Sequence, residues 1–359
     1  MLLAAGPWLA WGLRLRAERA PRAPPPRGEL RGAWHVHTTR SDGRGTLDEV
    51  VAAAREAGLQ FVVVSDHEVL APEEEGWHGD VLVVKAVEAS TRFGHVVAVG
   101  VPRPLSREER DGDALATIRA LGGQAVVAHP LHPQRPFTGW GRGEWRGLEV
   151  VSNDTAWGET LATNSWLRVA QAALVFPFDR ARAVLELQGD PRAELRRFDQ
   201  ESGAARRGNP RAPPRALLCS ADAHGYPSYR SAFEAFSMHV PLTVTGEGRA
   251  DARSVAGALL DGRAVCVLDG VAAASGVRLG RSADGRGLEL RLDAPDLSLA
   301  AFTLVHDGSA LAHRMPAARA GPAVIPFACE GGRCAPGDYR IEATWGGRPW
   351  IFTNPIRIE

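Results

Sequence analysis

The chain has 359 residues, 45% of them hydrophobic and 23% charged, a balance that fits a soluble globular protein and excludes both a mainly disordered chain and a multi-span membrane protein. Lys and Arg together number 42, as do Asp and Glu, so no net field draws the molecule toward nucleic acid or an acidic membrane surface, and an anionic substrate must be held by local charge. This length accommodates one enzyme-sized domain and a smaller one.

The chain opens on the apolar run MLLAAGPWLAWGL, followed by a basic, Pro-rich stretch up to Arg27. The run is shorter than the roughly 20 residues of a spanning helix, contains Gly6 and Pro7, and has no basic segment before it. Residues 1–30 therefore read as an incomplete signal or anchor plus a linker. Export or N-terminal anchoring in a bacterial envelope is the favoured expectation, with membrane attachment through this segment; a cytoplasmic chain with a functionless leader is the alternative. Beyond the linker, short apolar runs alternate with amphipathic stretches, the rhythm of strands alternating with helices. Strands are predicted at 32–36, 60–64, 81–87, 95–99, 124–128, 147–151 and 216–219. Helices are predicted at 46–57, opened by a Thr46 cap and closed by Gly58, and at 113–121. The segment 160–207 is helix-rich and Arg-laden and reads as an excursion to one side of the sheet. Residues 31–270 thus form an α/β domain, open or barrel-like. From 271 to 359 the pattern changes to short alternating segments such as LELRLDA and YRIEATW, which predict a small β-sandwich-like domain.

Cys219 and Cys266 lie in the apolar runs ALLCS and AVCVL and read as buried, inert free thiols. Cys329 and Cys334 bracket EGGR, a spacing that closes a small disulfide loop if the protein is exported; chance spacing is the alternative.

The ends of the predicted strands carry the chemistry. Strand alternation places His35 and His37 on one face, where two imidazoles can hold one cation. Asp42, in TTRSDG, reads by itself as a turn residue before Gly43. The run FVVVSDH ends in Asp66 and His67, Glu88 follows the apolar part of VLVVKAVEAS, His95 begins the next strand, His129 closes another before Pro130, and LLCSADAHG delivers Asp222 and His224. Each one taken singly is equally a loop residue or a satisfied core histidine. Successive strand ends that all carry imidazole or carboxylate point to a metal site.

In this order, HVH, TRSDG, VSDH, VEAS with a following His, AHP and SADAH resemble the PHP (polymerase and histidinol phosphatase) family, over about residues 31–267. The resemblance implies a distorted seven-stranded (β/α) TIM-like barrel and metal-dependent hydrolysis of a small-molecule phosphate ester at the C-terminal ends of its strands. It implies two or three divalent ions (Zn, Mn or Fe). His35, His37, Glu88 and Asp222 would hold the first, Glu88, His95 and His129 the second, and Asp42, His67 and His224 the third; some members carry His where this chain has Asp42. Phosphate esters repel hydroxide, and bound metals answer this by lowering the pKa of water and neutralising phosphoryl oxygens. The implied nucleophile is a hydroxide bridging two metals, with Asp222 as the catalytic group that accepts its proton.

Arg40 and Arg92, close to ligand positions, are candidate clamps for phosphate oxygens, with surface solvation as the plainer reading. Glu149, ending GLEVVS, reads as support for a ligand histidine or a plain wall carboxylate, and Ser65 and Asp66 have the same status. His132 is placed at the mouth; His78, His239, His306 and His313 match no ligand position. Other readings are metal-dependent hydrolysis of a non-phosphate substrate, which related barrels host, and an envelope-associated binding protein. Nucleic acid is not an expected partner, and the sequence does not fix the oligomeric state. The Trp345 and Trp350 region resembles the small β-domain appended to some exported members of the family.

Overall fold

The computed structural model describes residues 8–10, 13, 24–142, 144–294, 296–317 and 320–359; most of the leader expected at 1–30 lies outside the described residues. The first two strands, β1 (Glu29–Val36) and β2 (Phe61–Val64), are followed by a short edge strand, β3 (Gly76–His78). Then come β4 (Val81–Thr91), β5 (Gly94–Val99), β6 (Gln124–Val127), β7 (Gly147–Ser152) and β8 (Ala216–Ala223). With β3 set aside on the flank of β4, these strands pair in the order β1-β2-β4-β5-β6-β7-β8, and β8 returns to β1. The result is a closed barrel, and each apolar run predicted between 32 and 219 supplies one of its strands.

The barrel is parallel except at β5, which runs antiparallel to both β4 and β6. A two-residue turn through Arg92 and Phe93 joins β4 to β5, so no helix crosses over there. The start of β5 therefore lies at the rim where the parallel strands finish, which is why a strand-initial His95 and strand-final His, Asp and Glu residues can meet.

Helix α1 (Leu47–Glu56) follows β1, with Thr46 and Glu49 forming a capping box and Arg55 in its last turn. Helices α2 (Arg107–Asp111) and α3 (Ala114–Ala120) link β5 to β6. Between β7 and β8 runs the helical excursion: α4 (Asn153–Ala162), α5 (Trp166–Val175), α6 (Arg180–Leu187) and α7 (Arg192–Gly208). It begins earlier than the Arg-rich composition suggested, because the polar start of α4 directly follows β7. Two further helices, α8 (Tyr229–Ala235) and α9 (Gly248–Leu260), flank β9 (Ser237–Pro241) ahead of β10 (Val265–Val267).

The C-terminal strands are β11 (Ser275–Arg281), β12 (Gly287–Ala294), β13 (Ala300–His306), β14 (Ser309–Arg314), β15 (Gly321–Ala328), β16 (Gly337–Trp345), β17 (Arg348–Thr353) and β18 (Ile356–Ile358). One sheet runs β14-β13-β16-β17-β10-β9 and joins the barrel through β9 and β1; a second consists of β11, β12 and β15. The α/β barrel is thus followed by a small sandwich-like pair of sheets. Leu290, Phe302, Ile325, Ile341 and Trp350 fill the space between the two sheets, together with Val265 and Val267 of β10. Cys266, between those two valines, belongs instead to the core of the barrel. One three-residue strand therefore serves two cores through its alternation.

Cys219 and Cys266, expected as separate thiols, are bonded to each other, with Cα atoms 5.9 Å apart. Sequence showed that both were buried but not that β10 returns to the outside of β8. Cys329 and Cys334 are also bonded, closing the short loop; no described cysteine is free. The Cys219–Cys266 bond ties β8 to the sheet that carries the C-terminal strands, across a sequence separation of 47. Replacing both cysteines with alanine is expected to cost about 2–4 kcal/mol, read as a lower unfolding midpoint than that of the oxidised wild type.

Glu194 of α7 lines a cavity of about 240 Å³ beside β7, and burial pushes its carboxyl up to about 7. Between the ordinary glutamate value and pH 7 the folded chain keeps a proton that the unfolded chain has lost. The resulting stability is full below that ordinary value and is lost as pH rises through about 7. Glu194→Gln is expected to raise the melting temperature at pH 8 by about 2–4 °C and to leave it unchanged well below the ordinary glutamate value; equal melting curves at pH 8 would exclude a buried, ionising Glu194.

Candidate metal centre

The approach of β1 to the site is not a regular strand. Its register slips against β2 between Ala33 and Val36 and against β8 between Trp34 and Val36. His35 sits there at φ 66°, in the left-handed region that costs a non-glycine residue roughly 1–2 kcal/mol. The expected alternation of His35 and His37 is therefore replaced by a bulge, yet both rings still reach the centre. His129 at φ 25° and Asp222 at φ 39° also have positive φ, so candidate ligands from β1, β6 and β8 are all held at sharp, strained strand ends.

The bulge lets consecutive residues meet the same carboxylate. The Trp34 indole donates to Glu149 Oε1 at 2.7 Å, His35 Nδ1 lies 2.8 Å from that oxygen, and the His129 amide donates to Glu149 Oε2 at 2.8 Å. Glu149 is fully buried. Of the two readings of this residue, histidine support is the one its contacts match: it holds the His35 ring through Nδ1 and leaves Nε2 facing inward.

Glu88, also buried, is at the centre of the cluster. Its Oε2 lies 3.0 Å from His35 Nε2, 3.1 Å from His37 Nε2 and 3.4 Å from His67 Nε2. Its Oε1 lies 2.9 Å from His95 Nδ1 and 3.1 Å from His129 Nε2. Asp222 Oδ1 stands 3.4 Å from His37 Nε2 and 3.6 Å from His35 Nε2. At the outer side, Asp42 reaches His37 Nδ1 and His224 Nε2, each at 3.4 Å, and His67 Nε2 at 3.7 Å. All the residues singled out as ligands thus meet in one continuous cluster.

Among the described residues, potential donor atoms lie within 4.8 Å of one another in four groups: His35, His37 and Asp222; His67, Glu88 and His95; His37, Asp42, His67 and His224; and His129, Asp154 and Asp222. The grouping shares His37 and His67 between neighbours and joins His129 to Asp154. Asp154, in the first turn of α4, was missed by sequence reasoning; its signal was the acidic residue in SND directly after β7. It lies 3.3 Å from His132 Nε2 and 2.8 Å from Arg135. His132 Nδ1 accepts from the Gln134 and Arg135 amides, so Nε2 carries the proton and donates to Asp154.

The electrostatics of the cluster suit a cation. Burial works against every charge in it. Even so, the charge of His35, with His129, His35 and His37 as hydrogen-bond partners, holds Glu88 well below the usual carboxylate range. Burial opposes the imidazolium of His37 as well, but Asp222 and Glu88 outweigh it and raise that ring to about 9. His67 goes the other way, lowered chiefly by burial. His37 Nε2 is buried and faces both Glu88 and Asp222, the placement a coordinating nitrogen needs. These donors fit divalent ions of the Zn, Mn or Fe type, and metal uptake at neutral pH expels protons from the imidazoles.

Asp66 anchors the first loop rather than joining the cluster, accepting from the Thr38 amide, the Thr38 hydroxyl and the Ser41 hydroxyl. Ser65 is buried. Arg40 pairs with Glu74, and the Arg92 guanidinium lies 4.5 Å from the centre of the Phe93 ring. Neither guanidinium makes an ion pair with a cluster residue among the described contacts.

No known protein family and no curated protein matches the chain. Several solved structures are similar to it, three of which follow. A two-domain protein from Bacteroides vulgatus containing a predicted PHP-like metal-dependent phosphoesterase is 13% identical, with a TM-score of 0.45 over 94% of this chain and 99% of that one. A candidate metal-dependent phosphoesterase from Bifidobacterium adolescentis is 16% identical, with a TM-score of 0.27 over 40% of this chain and 85% of that one. An amidohydrolase from Chromobacterium violaceum, solved with bound sulfate and no metal, is 15% identical, with a TM-score of 0.32 over 54% of this chain and 87% of that one.

Glu149→Gln keeps the shape but offers one acceptor oxygen to donors that now use two. It is expected to weaken metal affinity by about 10–100-fold with the fold retained, read by competition against a chelating dye; unchanged affinity would leave Glu149 as a wall residue. In the order of its motifs and in its closed seven-stranded barrel, the chain resembles PHP-like metal-dependent hydrolases.

Proposed function

We propose that this protein is a metal-dependent hydrolase of phosphate esters. The observation that carries the reading is Glu88, a buried carboxylate with five imidazoles within 3.4 Å of its oxygens. Such a concentration of donors is costly to bury unless a cation is to be held there.

His35, His37, Glu88 and Asp222 would hold one divalent ion, Glu88, His95 and His129 a second, and Asp42, His67 and His224 a third. Bound ions there supply positive charge to phosphoryl oxygens and lower the pKa of water. Asp222, buried with one oxygen among His35, His37 and His224, is the group assigned to take a proton from attacking water. Glu149 keeps the His35 ring oriented while that proton moves. At the rim, Arg40 is half exposed and able to exchange Glu74 for a phosphate oxygen, and exposed Arg92 offers a second guanidinium. The two disulfides support an oxidising compartment outside the cytoplasm as the site of action.

The test pairs elemental analysis of the purified protein with hydrolysis of an aryl phosphate with and without added Mn or Zn. Bound metal and metal-dependent phosphate release are expected. Metal bound with no activity on any phosphate ester would transfer the reading to a non-phosphate substrate. Absence of metal uptake would end it. His37→Ala and Asp222→Asn are each expected to lower kcat/KM by about a thousandfold or more with an unchanged far-UV spectrum. Asn suits the positive φ at 222, so the second variant isolates loss of the carboxylate from loss of fold.

A further inference from the structure

We propose that the substrate is an amphiphile: its phosphate lies at the metal cluster, its apolar chain in a groove of the helical excursion, and the enzyme works while seated on a lipid bilayer. This rests on the phosphoesterase reading above and adds the substrate class and the surface that presents it.

The groove has a volume of about 520 Å³. Val169 and Ala172 of α5, Phe176 just beyond it, Val184 and Leu187 of α6, and Tyr226 line it. Its lining reaches the segment after β8 that also carries His224. Tyr226 is two residues past His224, and the Arg44 amide donates to the His224 carbonyl while its guanidinium lies 5.5 Å from the Tyr226 ring centre. On the other side Trp157, in the same helix as Asp154, has its ring 6.2 Å from that of Tyr226. An apolar chain entering between these two rings thus starts next to the candidate ligands.

The outer face of α5 is apolar as well. At 100° per residue, Trp166, Leu167, Ala170, Ala173 and Leu174 fall within an arc of about 120°. Trp166 and Leu167 are 70% and 71% exposed, and Leu174 and Phe176 are exposed too. A continuous exposed surface of this kind marks an interaction site. The leader meets it: Trp8 packs edge-on against Phe178 at 4.9 Å, its indole N–H donates to the Leu174 carbonyl, and Leu9 and Leu13 are exposed nearby in sequence. The partner is identified as a bilayer by the composition of the sequence to which Trp8 belongs. MLLAAGPWLAWGL carries Trp8 and Trp11 among aliphatic residues and is followed by RLRAERAPR, the aromatic, aliphatic and basic composition of an interfacial anchor. Since the chain has no net charge, attachment is governed by apolar insertion and persists in salt that would screen charge attraction.

The test uses the full chain loaded with Mn or Zn. Co-sedimentation with phosphatidylcholine vesicles is expected at low salt and at about 0.5 M NaCl. Long-chain phosphatidate in those vesicles should be hydrolysed with a kcat/KM about tenfold or more above that of soluble dihexanoyl phosphatidate, since each buried methylene favours the longer chain. The double variant Trp166→Glu, Leu167→Glu changes two exposed side chains; it should lose vesicle binding and most of the chain-length preference at an unchanged melting temperature. No vesicle binding by the wild type, equal rates for long and short chains, or a variant that keeps both properties would each overturn the proposal, as would a dimer in light scattering that is abolished by the double variant while vesicles are ignored. If no phosphate ester of any length is hydrolysed, the phosphoesterase reading fails, and this proposal with it; vesicle binding that vanishes in the variant would then still locate a membrane-binding face.

Discussion

The structure is organised around a buried carboxylate that cannot remain alone. Moving the Glu88 charge out of water costs several kcal/mol unless partners surround it, and those partners come from separate strands: His35 and His37 from the end of β1, His67 from the end of β2, His95 from the start of β5 and His129 from the end of β6. The closed barrel brings these ends together at one rim. The reversed direction of β5 is part of the same requirement, because a parallel β5 would deliver His95 to the opposite end. Gly94 at the turn into β5 has φ 111°, and a Cβ there would lie 2.8 Å from the Phe137 backbone, so the tight turn that makes this reversal depends on glycine.

A second buried carboxylate governs the angles at which the first is met. Glu149 draws the Trp34 indole, the His35 ring and the His129 amide to its two oxygens. His35 and His129 are themselves at positive φ, and their contacts with one rigid acceptor help to hold those strained conformations. The strain and the support are therefore one arrangement: the backbone is bent so that side chains converge, and a carboxylate behind them keeps it bent.

How far this could be read from sequence depended on whether a feature is periodic or local. The barrel strands were legible because each is a short apolar run ended by a polar residue, and His67, Glu88, His129 and Asp222 announced themselves by standing at those ends. The bulge at His35 was not legible, since nothing in GAWHVH distinguishes a bulged strand from an alternating one; the Glu149 contacts that accompany it come from a residue distant in sequence. The same holds for Asp154, a helix-start acid until the fold sets it near His129 and Asp222. Cys219 and Cys266 show the limit clearly: their burial follows from local composition, whereas their bond follows from the path by which β9 and β10 turn back against the barrel.

The division between strands and excursion also separates chemistry from choice of substrate. The candidate ligands sit on strand ends or the loops next to them, where hydrogen bonding and core packing on both sides fix their positions, and such positions yield to motif reading. The α4–α7 excursion and the segment after β8 carry the groove, the exposed apolar arc and the aromatic pair Trp157 and Tyr226. These features are made by residues distant in sequence and by no repeating pattern. The ligand cluster can therefore stay intact while α5 and α6 vary, which is the physical reason the candidate ligands were legible in the sequence and the groove was not.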